Sequence, residues 1–216
     1  MRIGLFGGTG DMGKGLALRW GKWHEMYIGS RSKERAESAA NEYFQTIRSR
    51  GTASAKVVGL LNEEIVGLCE VLVFTVPYEP SMELATSLAK SFSDQVVISP
   101  LVPLRKENGL YVYSPRKGSA AEELRDTING EVVSALHTVP ARRLSSDETL
   151  PNSDVIVCGD SKDSKRVVMD LIRQIEPLRP MDGGPLRVSS LIESIVPLLL
   201  NVSKFSGIHE PTIQLR

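Results

Sequence analysis

Residues 1–13 read Met1-Arg-Ile-Gly-Leu-Phe-Gly-Gly-Thr-Gly-Asp-Met-Gly13, a short apolar segment followed by a run of glycines. Arg2 to Phe6 predicts a buried strand, and a helix is expected to begin near Asp11. The spacing Gly8-x-Gly10-x-x-Gly13, placed between a strand and a helix, is the fingerprint of a dinucleotide-binding turn. This position in the chain favours a nucleotide site over an ordinary glycine-rich turn.

Each glycine of this loop has a distinct expected role. Gly8 makes the tight turn, Gly10 lets the backbone approach a pyrophosphate, and Gly13 lets the helix pack closely on the strand. The pyrophosphate would lie at the helix N-terminus, where free N–H groups and the helix dipole favour anions. The residues expected to contact the cofactor here are Gly8, Thr9, Gly10, Asp11, Met12 and Gly13.

The end of the second strand indicates which nucleotide binds. His24 to Ile28 predicts this strand, and it is followed by Ser30 and Arg31, with Arg35 nearby. NAD sites usually carry an acidic residue at this point, which would repel a 2′-phosphate. A guanidinium can instead bind the 2′-phosphate through a forked, charge-assisted pair. The other interpretation is a solvated basic turn before the next helix. NADP(H) is the predicted nucleotide.

Apolar runs and helical patterns alternate along the rest of the chain. Val71 to Val76 is a continuous, largely β-branched run, typical of a strand buried on both faces, and Pro77 ends it. Further strands are predicted at 54–58, 95–98, 131–136, 154–157 and 177–181. Helices are predicted at 32–48, 61–68, 81–91, 162–175 and 188–205, and another begins at a capping box of Ser119 and Glu122. The alternation predicts an α/β fold, a Rossmann-type, doubly wound, mainly parallel sheet.

The segment from Pro140 to Asn152 is the least sheet-like part of the chain. We therefore predict a domain boundary at this segment. Residues 1–140 would form the NADP-binding Rossmann domain, and residues 141–216 a small helical and mixed C-terminal domain that completes the sheet.

Composition limits the partners of the protein. The 216 residues include 26 basic and 26 acidic side chains, so no net charge favours nucleic acid or an anionic membrane. The longest apolar run, Ile195 to Leu200, is too short to span a bilayer. Cys69 and Cys158 lie in apolar surroundings without metal-ligand spacing, and the first residues do not resemble a signal peptide. These features predict a soluble, cytoplasmic protein without a metal, nucleic acid or membrane partner.

In open α/β sheets, ligands bind at the carboxyl ends of the strands. Besides the glycine loop and the Ser30–Arg31 turn, the loops at these ends are 75–78, 99–101 and 137–140, and Thr75, Val76 and Pro77 are expected beside the cofactor. Only His137 and Tyr78 could donate a proton there, and His137 could instead contact a ligand or cap its strand. The scarcity of acid–base groups suggests a reaction that needs no dedicated catalytic residue.

Several longer segments resemble one known family. They are 7–19, 29–31, 99–103, 119–122, 133–141, 157–160 and 184–186. Over nearly its whole length the chain is similar to the NADPH-dependent reductases of coenzyme F420, also called F420H2:NADP oxidoreductases. The resemblance implies reversible hydride transfer between nicotinamide C4 and C5 of the 8-hydroxy-5-deazaflavin of F420. The two rings would stack in an apolar cleft between the Rossmann domain and the C-terminal domain.

The resemblance also implies roles for individual residues. Four would hold the 2′-phosphate: Thr9, Ser30, Arg31 and Arg35. His137 and Val139 would lie at the stacked rings, with Val139 behind the nicotinamide, and Gly207 and Ile208 match a C-terminal segment that closes over the deazaflavin. Asp11 stands where the family usually has Asn, and we expect it to face away as the helix cap. A homodimer is implied, with the apolar last helix contributing.

The side chain of F420 carries a phosphodiester and glutamates, so a basic rim is expected. The candidates are Arg116, Lys117, Arg142 and Arg143, for each of which a solvated loop surface is the alternative. Two other functions stay open. One is an NADPH-dependent imine or β-hydroxyacid reductase, which typically adds a long helical domain. The other is a non-catalytic NADPH-sensing module.

Overall fold

The computed structural model describes residues 1–51, 56–146 and 148–216 of the chain. The strands in these residues are β1 (Arg2–Phe6), β2 (Glu25–Ser30), β3 (Lys56–Leu61), β4 (Val71–Phe74), β5 (Val96–Ser99), β6 (Leu104–Glu107), β7 (Leu110–Tyr113), β8 (Glu131–Ser134), β9 (Ser153–Gly159) and β10 (Leu178–Gly184). The helices are α1 (Asp11–Trp20), α2 (Lys33–Ser49), α3 (Asn62–Val66), α4 (Tyr78–Leu88), α5 (Ala120–Thr127), α6 (Ala141–Ser145), α7 (Lys162–Arg173) and α8 (Ser189–Ser206).

The predicted α/β fold is confirmed. Eight strands form one sheet in the order β10-β9-β8-β5-β4-β1-β2-β3, and six of its seven neighbouring pairs are parallel. From β1 the chain first builds β2 and β3 on one side, then returns to place β4 on the other side. The strand order therefore reverses between β1 and β4, and a ligand crevice is expected at the carboxyl ends of these two strands.

The last two strands of the sheet run against the other six. β9 pairs antiparallel with β8, through Val133 with Gly159 and Ser134 with Cys158, whereas β10 pairs parallel with β9. Between β8 and β9 the chain forms the short α6, which packs on α1. A Cβ added to Gly15 of α1 would lie 2.6 Å from Cγ of Leu144. The division of the chain at residue 140 stays a prediction.

Several element boundaries differ from the sequence-based ones. The predicted start of the third strand, residues 54 and 55, lies outside the described residues. The fourth helix begins at Tyr78 rather than Ser81, because Pro77 takes the N-cap and Pro80 is tolerated in the first helical turn. The strand predicted at 131–136 ends at Ser134. The N–H of Ala135 still donates to the carbonyl oxygen of Ser99 at 3.1 Å, but Leu136, with φ 70°, leaves the extended conformation.

The sequence analysis missed the β6–β7 hairpin, a separate two-stranded sheet. Asn108 and Gly109 form its turn, with φ of 49° and 80°. An Asn-Gly pair with both φ values positive is the strongest short-range hairpin signal. The four residues of β6 are all exposed, so this strand lacks the alternating apolar pattern of a half-buried strand.

Apolar side chains cover both faces of the large sheet. One core includes Leu5 and Trp20, whose indole N–H donates to the carbonyl oxygen of Leu171 at 2.8 Å. The other includes Phe6 and Phe74, with ring centroids 4.6 Å apart. Successive residues of β1 thus face opposite cores, as in a strand buried on both faces. Cys69 and Cys158 are both buried and free, as expected.

Residues 186–206, which contain α8, are long and apolar enough to cross a membrane by length and composition. In the structure, one face of α8 packs on β7 and α5, and Glu193 of α8 is buried. The other face of α8 leaves Leu191, Leu198 and Phe205 exposed, at 66%, 59% and 69% of their surface.

Candidate functional site

The glycine loop between β1 and α1 is fixed by three neighbouring elements. The N–H of Gly8 donates to the carbonyl oxygen of Gly29 in β2 at 2.9 Å. The N–H of Gly7 donates to Oδ1 of Asn62 in α3 at 3.3 Å. The hydroxyl of Tyr43 in α2 donates to the carbonyl oxygen of Gly8 at 3.2 Å, and burial raises the pKa of Tyr43 to about 12. The loop is therefore shaped before any ligand binds.

Two glycines of the fingerprint face different surroundings. A Cβ added to Gly13 would lie 2.4 Å from Cα of Gly8, so only glycine allows α1 to pack this closely on the loop. A Cβ added to Gly10 would meet only the carbonyl oxygen of Gly7, at 3.9 Å. The exposed Thr9 and Gly10 thus leave open space in front of the first turn of α1, where a pyrophosphate could approach the backbone.

Asp11 does not cap α1, so that prediction is wrong. The N-cap is Gly10, with φ −90° and ψ 175° and without a side-chain cap hydrogen bond. Asp11 is the first residue of the helix, too late for a capping side chain. It is exposed and helps to line a cleft of about 350 Å³, together with Arg142, Arg143 and Glu210. We call this the polar cleft.

The end of β2 presents basic side chains that form no ion pair with the described residues. Ser30 is buried, and its Oγ accepts a hydrogen bond from the N–H of Ser32 at 3.2 Å. Ser32 in turn caps α2, since its Oγ accepts from the N–H of Arg35 at 3.3 Å. Arg31 and Arg35 are exposed, and neither forms an ion pair with the described part of the chain. Both guanidiniums are free to meet an anion.

Thr75 joins the ends of β1 and β4 where the strand order reverses. Its N–H and its hydroxyl both donate to the carbonyl oxygen of Phe6, at 3.0 and 2.7 Å. Val76 packs closely on Gly7, since a Cβ added to Gly7 would lie 2.0 Å from Cγ1 of Val76. A mainly apolar cleft of about 410 Å³ opens here, which we call the switch cleft. Its lining includes Met12, Thr75, Val76, Pro77, Leu101 and Val196.

A second apolar cleft, of about 250 Å³, lies at the end of β8. We call it the histidine cleft, and its lining includes His137, Val139, Arg142, Val196, Leu199 and Pro211. Val196 of α8 lines both apolar clefts, so α8 contributes one wall to each. The structure thus brings the glycine loop, Thr75 to Pro77, and the pair His137 and Val139 to one edge of the sheet.

His137 is a buried, neutral histidine. Its Nε2 lies 3.3 Å from Oγ of Ser134, and its Nδ1 is buried without a partner in the described residues. Burial lowers the pKa of His137 to about 4. The residue before it, Leu136, has a φ of 70°, in the left-handed region that bulky side chains rarely adopt. Such strain clusters at functional sites, and here it lies beside His137 in the lining of the histidine cleft.

Comparison with known proteins identifies the family of this chain. A family model described as NADP oxidoreductase, coenzyme F420-dependent, matches residues 2–103. The F420-dependent NADP reductase of Methanocaldococcus jannaschii is 35% identical over 224 aligned positions, which cover all of both chains. The chain belongs to the F420-dependent NADP reductase family.

Solved structures agree with this family in fold. One, from Arthrobacter sp. FB24 and provisionally described as an F420-dependent NADP reductase, superposes with a TM-score of 0.80 at 19% identity. The match covers 100% of this chain and 99% of that one. An imine reductase from Streptomyces aurantiacus gives a TM-score of 0.60 at 15% identity, and the match covers 94% of this chain but 61% of that one. These likenesses concern the fold alone.

The C-terminal tail of this family member crosses the site. Gly207 ends α8 in the left-handed conformation, with φ 68° and its N–H bonded to the carbonyl oxygen of Ser203 at 3.1 Å. Ile208 is half exposed. The tail residues that line the clefts are His209, Glu210 and Pro211. The sequence analysis named the start of this segment and missed these three.

Three of the four predicted rim residues are already paired. Arg116 forms an ion pair with Glu79, and Lys117 lies 3.3 Å from Asp126. Nε of Arg143 lies 2.7 Å from the carboxylate of Glu210. Arg142 is exposed, lines both the polar and the histidine cleft, and forms no ion pair within the described residues.

Glu193 is a structural residue that the sequence analysis missed. Its carboxylate is buried and accepts hydrogen bonds from the N–H groups of Ala120 and Ala121, at 2.9 and 3.1 Å, and from the hydroxyl of Tyr113 at 2.9 Å. Burial raises the pKa of Glu193 to about 7, although the three hydrogen bonds act to lower it. The available signal was that Glu193 is the single acid in this largely uncharged helix. The buried carboxylate of Glu193 holds α8, and therefore Val196, in place at the clefts.

Proposed function

We propose that this protein catalyses reversible hydride transfer between nicotinamide C4 of NADP(H) and C5 of the deazaflavin of coenzyme F420. It is an oxidoreductase with NADP(H) and F420 as its cofactor substrates, as its family membership indicates. The observation that carries the proposal is the pair of apolar clefts beside a glycine loop, with Arg31 exposed at the end of β2 and in no ion pair with the described residues.

The residues at the glycine loop suit NADP(H). The open space at Gly10 admits a pyrophosphate to the first turn of α1, where backbone N–H groups lack helical acceptors. Thr9, Ser30, Arg31 and Arg35 would bind the 2′-phosphate. Arg31 and Arg35 can form charge-assisted hydrogen bonds with it, since no carboxylate neutralises them in the described chain.

The residues around the two apolar clefts would orient the rings and exclude water. Bound nicotinamide and deazaflavin supply the hydride donor and acceptor carbons themselves. Thr75, Val76 and Pro77 would contact the nicotinamide in the switch cleft, Val139 would lie behind it, and Gly207 with Ile208 would begin the segment that closes over the deazaflavin. His137, neutral at physiological pH, offers a ring N–H or a lone pair rather than an acidic proton.

The proposal is tested by mixing purified protein with oxidised F420 and either NADPH or NADH. Visible absorbance of the oxidised deazaflavin should disappear with NADPH and far more slowly with NADH. If colour persists although NADPH binds, the nucleotide site stands and F420 is not the substrate. Imines and keto acids would then be tested in the same format.

The two other functions find less support in the structure. The matched imine reductase has about two fifths of its chain without a counterpart here. The other candidate proton donor, the Tyr78 hydroxyl, donates to the carboxylate of Glu123 at 2.7 Å, and burial raises its pKa. A nucleotide-sensing module would not need the apolar clefts on both sides of Val196.

We include a homodimer and a cytoplasmic location in the proposal. The exposed leucines and Phe205 on α8 form an apolar face that a second copy could cover. Sedimentation at micromolar concentration should give a dimer, and Leu198→Lys should shift it to monomer. If the wild-type protein sediments as a monomer, the homodimer is no longer part of the proposal. Residues 1–140 and 141–216 would be the two domains that enclose the ring site.

A further inference from the structure

Two adjacent arginines of α6 have different surroundings. Arg143 is two-thirds buried, and its Nε lies 2.7 Å from the carboxylate of Glu210 and 3.7 Å from that of Glu148. Arg142 points into solvent where the polar and histidine clefts meet, and no acid in the described residues pairs with it. Neighbours in sequence therefore differ in what they can still bind.

The carboxylate on Arg143 belongs to a segment held at both ends. We call residues 207–215 the C-terminal strap. Beyond Glu210, the carbonyl oxygen of Ile213 accepts from the N–H of Asp154 at 2.7 Å, and the N–H of Leu215 donates to the Asp154 carboxylate at 2.5 Å. Arg179 completes this anchor through a forked pair with Asp154 and a hydrogen bond to the carbonyl of Leu215.

The anchored strap forms part of the wall of the histidine cleft. Glu210 and Pro211 lie in this wall opposite Val196 and Leu199 of α8. Glu210 has a φ of 49°, an uncommon conformation that its ion pair with Arg143 supports. Loss of this ion pair should therefore disturb the ring cleft as a whole.

The charges of the polar cleft decide which arginine can receive an anion. Asp11, Glu148 and Glu210 contribute three carboxylates against the two guanidiniums. An anionic ligand at Arg143 would have to displace Glu210 and leave that carboxylate unpaired, which is costly for a partly buried group. Arg142 needs no such displacement and stands at the exit of the histidine cleft.

We propose that Arg142 binds the first anionic group of the deazaflavin side chain, whereas Arg143 and Glu210 position the strap. This inference rests on the proposed function. The chromophore ring lies in the histidine cleft, and its side chain leaves past Arg142 where this cleft meets the polar cleft. Arg142 is then the residue that distinguishes the full coenzyme from a chromophore without phosphate.

The test compares two acceptors at saturating NADPH: F420, and the 8-hydroxy-5-deazaflavin chromophore that lacks the phosphate and glutamates. Arg142→Gln should raise the KM for F420 about 10-fold or more, the effect of one lost charge-assisted hydrogen bond. The KM for the tail-less chromophore should change far less. Arg142→Lys should restore part of the F420 affinity.

Arg143→Gln and Glu210→Gln are the matched controls. Both should raise the KM for the two acceptors by similar factors, because the wall of the cleft moves. The inference is overturned if Arg142→Gln affects both acceptors equally, or if Arg143→Gln affects F420 alone. A lower KM for F420 in Glu210→Gln would also overturn it, since Glu210 would then compete with substrate. Wild-type protein that reduces neither acceptor would instead reject the proposed function.

Discussion

The side chain of Asn201 in α8 forms two hydrogen bonds with the backbone of Tyr111 in β7. Its Oδ1 accepts from the Tyr111 N–H at 3.0 Å, and its Nδ2 donates to the Tyr111 carbonyl at 2.8 Å. The amide thus pairs with the strand as a neighbouring strand would. Lys204 adds a bond from Nζ to the carbonyl oxygen of Gly109 at 2.6 Å. The hairpin and the last helix therefore form one unit.

Asn201→Leu should destabilise the protein by about 2 kcal/mol, because two half-buried backbone groups lose their partner. Amide exchange at Tyr111 should accelerate. Ser194→Ala in the same helix removes only a hydrogen bond within α8 and should stay within about 0.5 kcal/mol of wild type. Denaturant unfolding and hydrogen exchange measure both effects. Equal stability of the two variants would contradict the coupling.

Gly10→Ala and Gly13→Ala should fail in different ways. Gly10 has room for a methyl group, so this variant should unfold at nearly the wild-type temperature but bind NADPH poorly. Gly13 has no room, and overpacking there should cost about 1–3 kcal/mol. Thermal unfolding with and without NADPH separates the two effects. A Gly10→Ala protein with unchanged NADPH affinity would place the pyrophosphate elsewhere.

Arg31→Asp should lower kcat/KM for NADPH about 10-fold or more, through loss of a charge-assisted pair with the 2′-phosphate and added repulsion. The value for NADH should change far less. Lys33→Asp makes the same charge change in the same turn and serves as control. Steady-state kinetics with both cofactors gives the ratio. Equal losses for NADPH and NADH would refute the assignment of Arg31.

Glu193→Gln should remove a pH dependence of stability. The pKa of Glu193 is raised from 4.5 to about 7 by burial, so the folded state binds more protons than the unfolded state between these values. Its contribution to stability is present below pH 4.5 and falls as pH rises toward 7, by about 3 kcal/mol.

The difference in unfolding free energy between Glu193→Gln and wild type isolates this contribution from other titrating groups. The variant should gain stability relative to wild type as pH rises through this window. Glu193→Asp retains the carboxylate and serves as a control with a shorter reach. A difference that is constant with pH would mean that the hydrogen bonds from Ala120, Ala121 and Tyr113 cancel the effect of burial on the pKa of Glu193.

His137 should not act as a titrating acid. Its pKa of about 4 keeps it neutral, so kcat should show no step from this residue between about pH 6 and pH 8. His137→Asn should lower turnover through a lost ring contact while the shape of the pH profile stays the same. A step near the ordinary histidine pKa that vanishes in the variant would make His137 the proton donor.

The sequence by itself determined what depends on local chemistry. The glycine spacing after an apolar strand predicted the turn into α1, and the structure bears out the close packing expected at Gly13. The β-branched run at 71–76 predicted a doubly buried strand, and β4 is fully buried. The absence of an acid after Ser30 and the narrower motifs predicted the NADP-linked family. Each signal lies within about 20 residues, because strand periodicity and turn geometry act over such distances.

Only the tertiary structure decided how distant segments meet. Asn201 and Tyr111 lie 90 residues apart, and Arg143 and Glu210 lie 67 apart. The path of the chain after β8 decides whether Arg143 meets Glu210. It also decides whether Glu193 faces solvent or the N-terminus of α5. The antiparallel pairing of β9 with β8 sets the start of that path. Long-range hydrogen bonds and ion pairs produce no periodic pattern in the sequence around either partner. They can therefore be identified only in the folded structure.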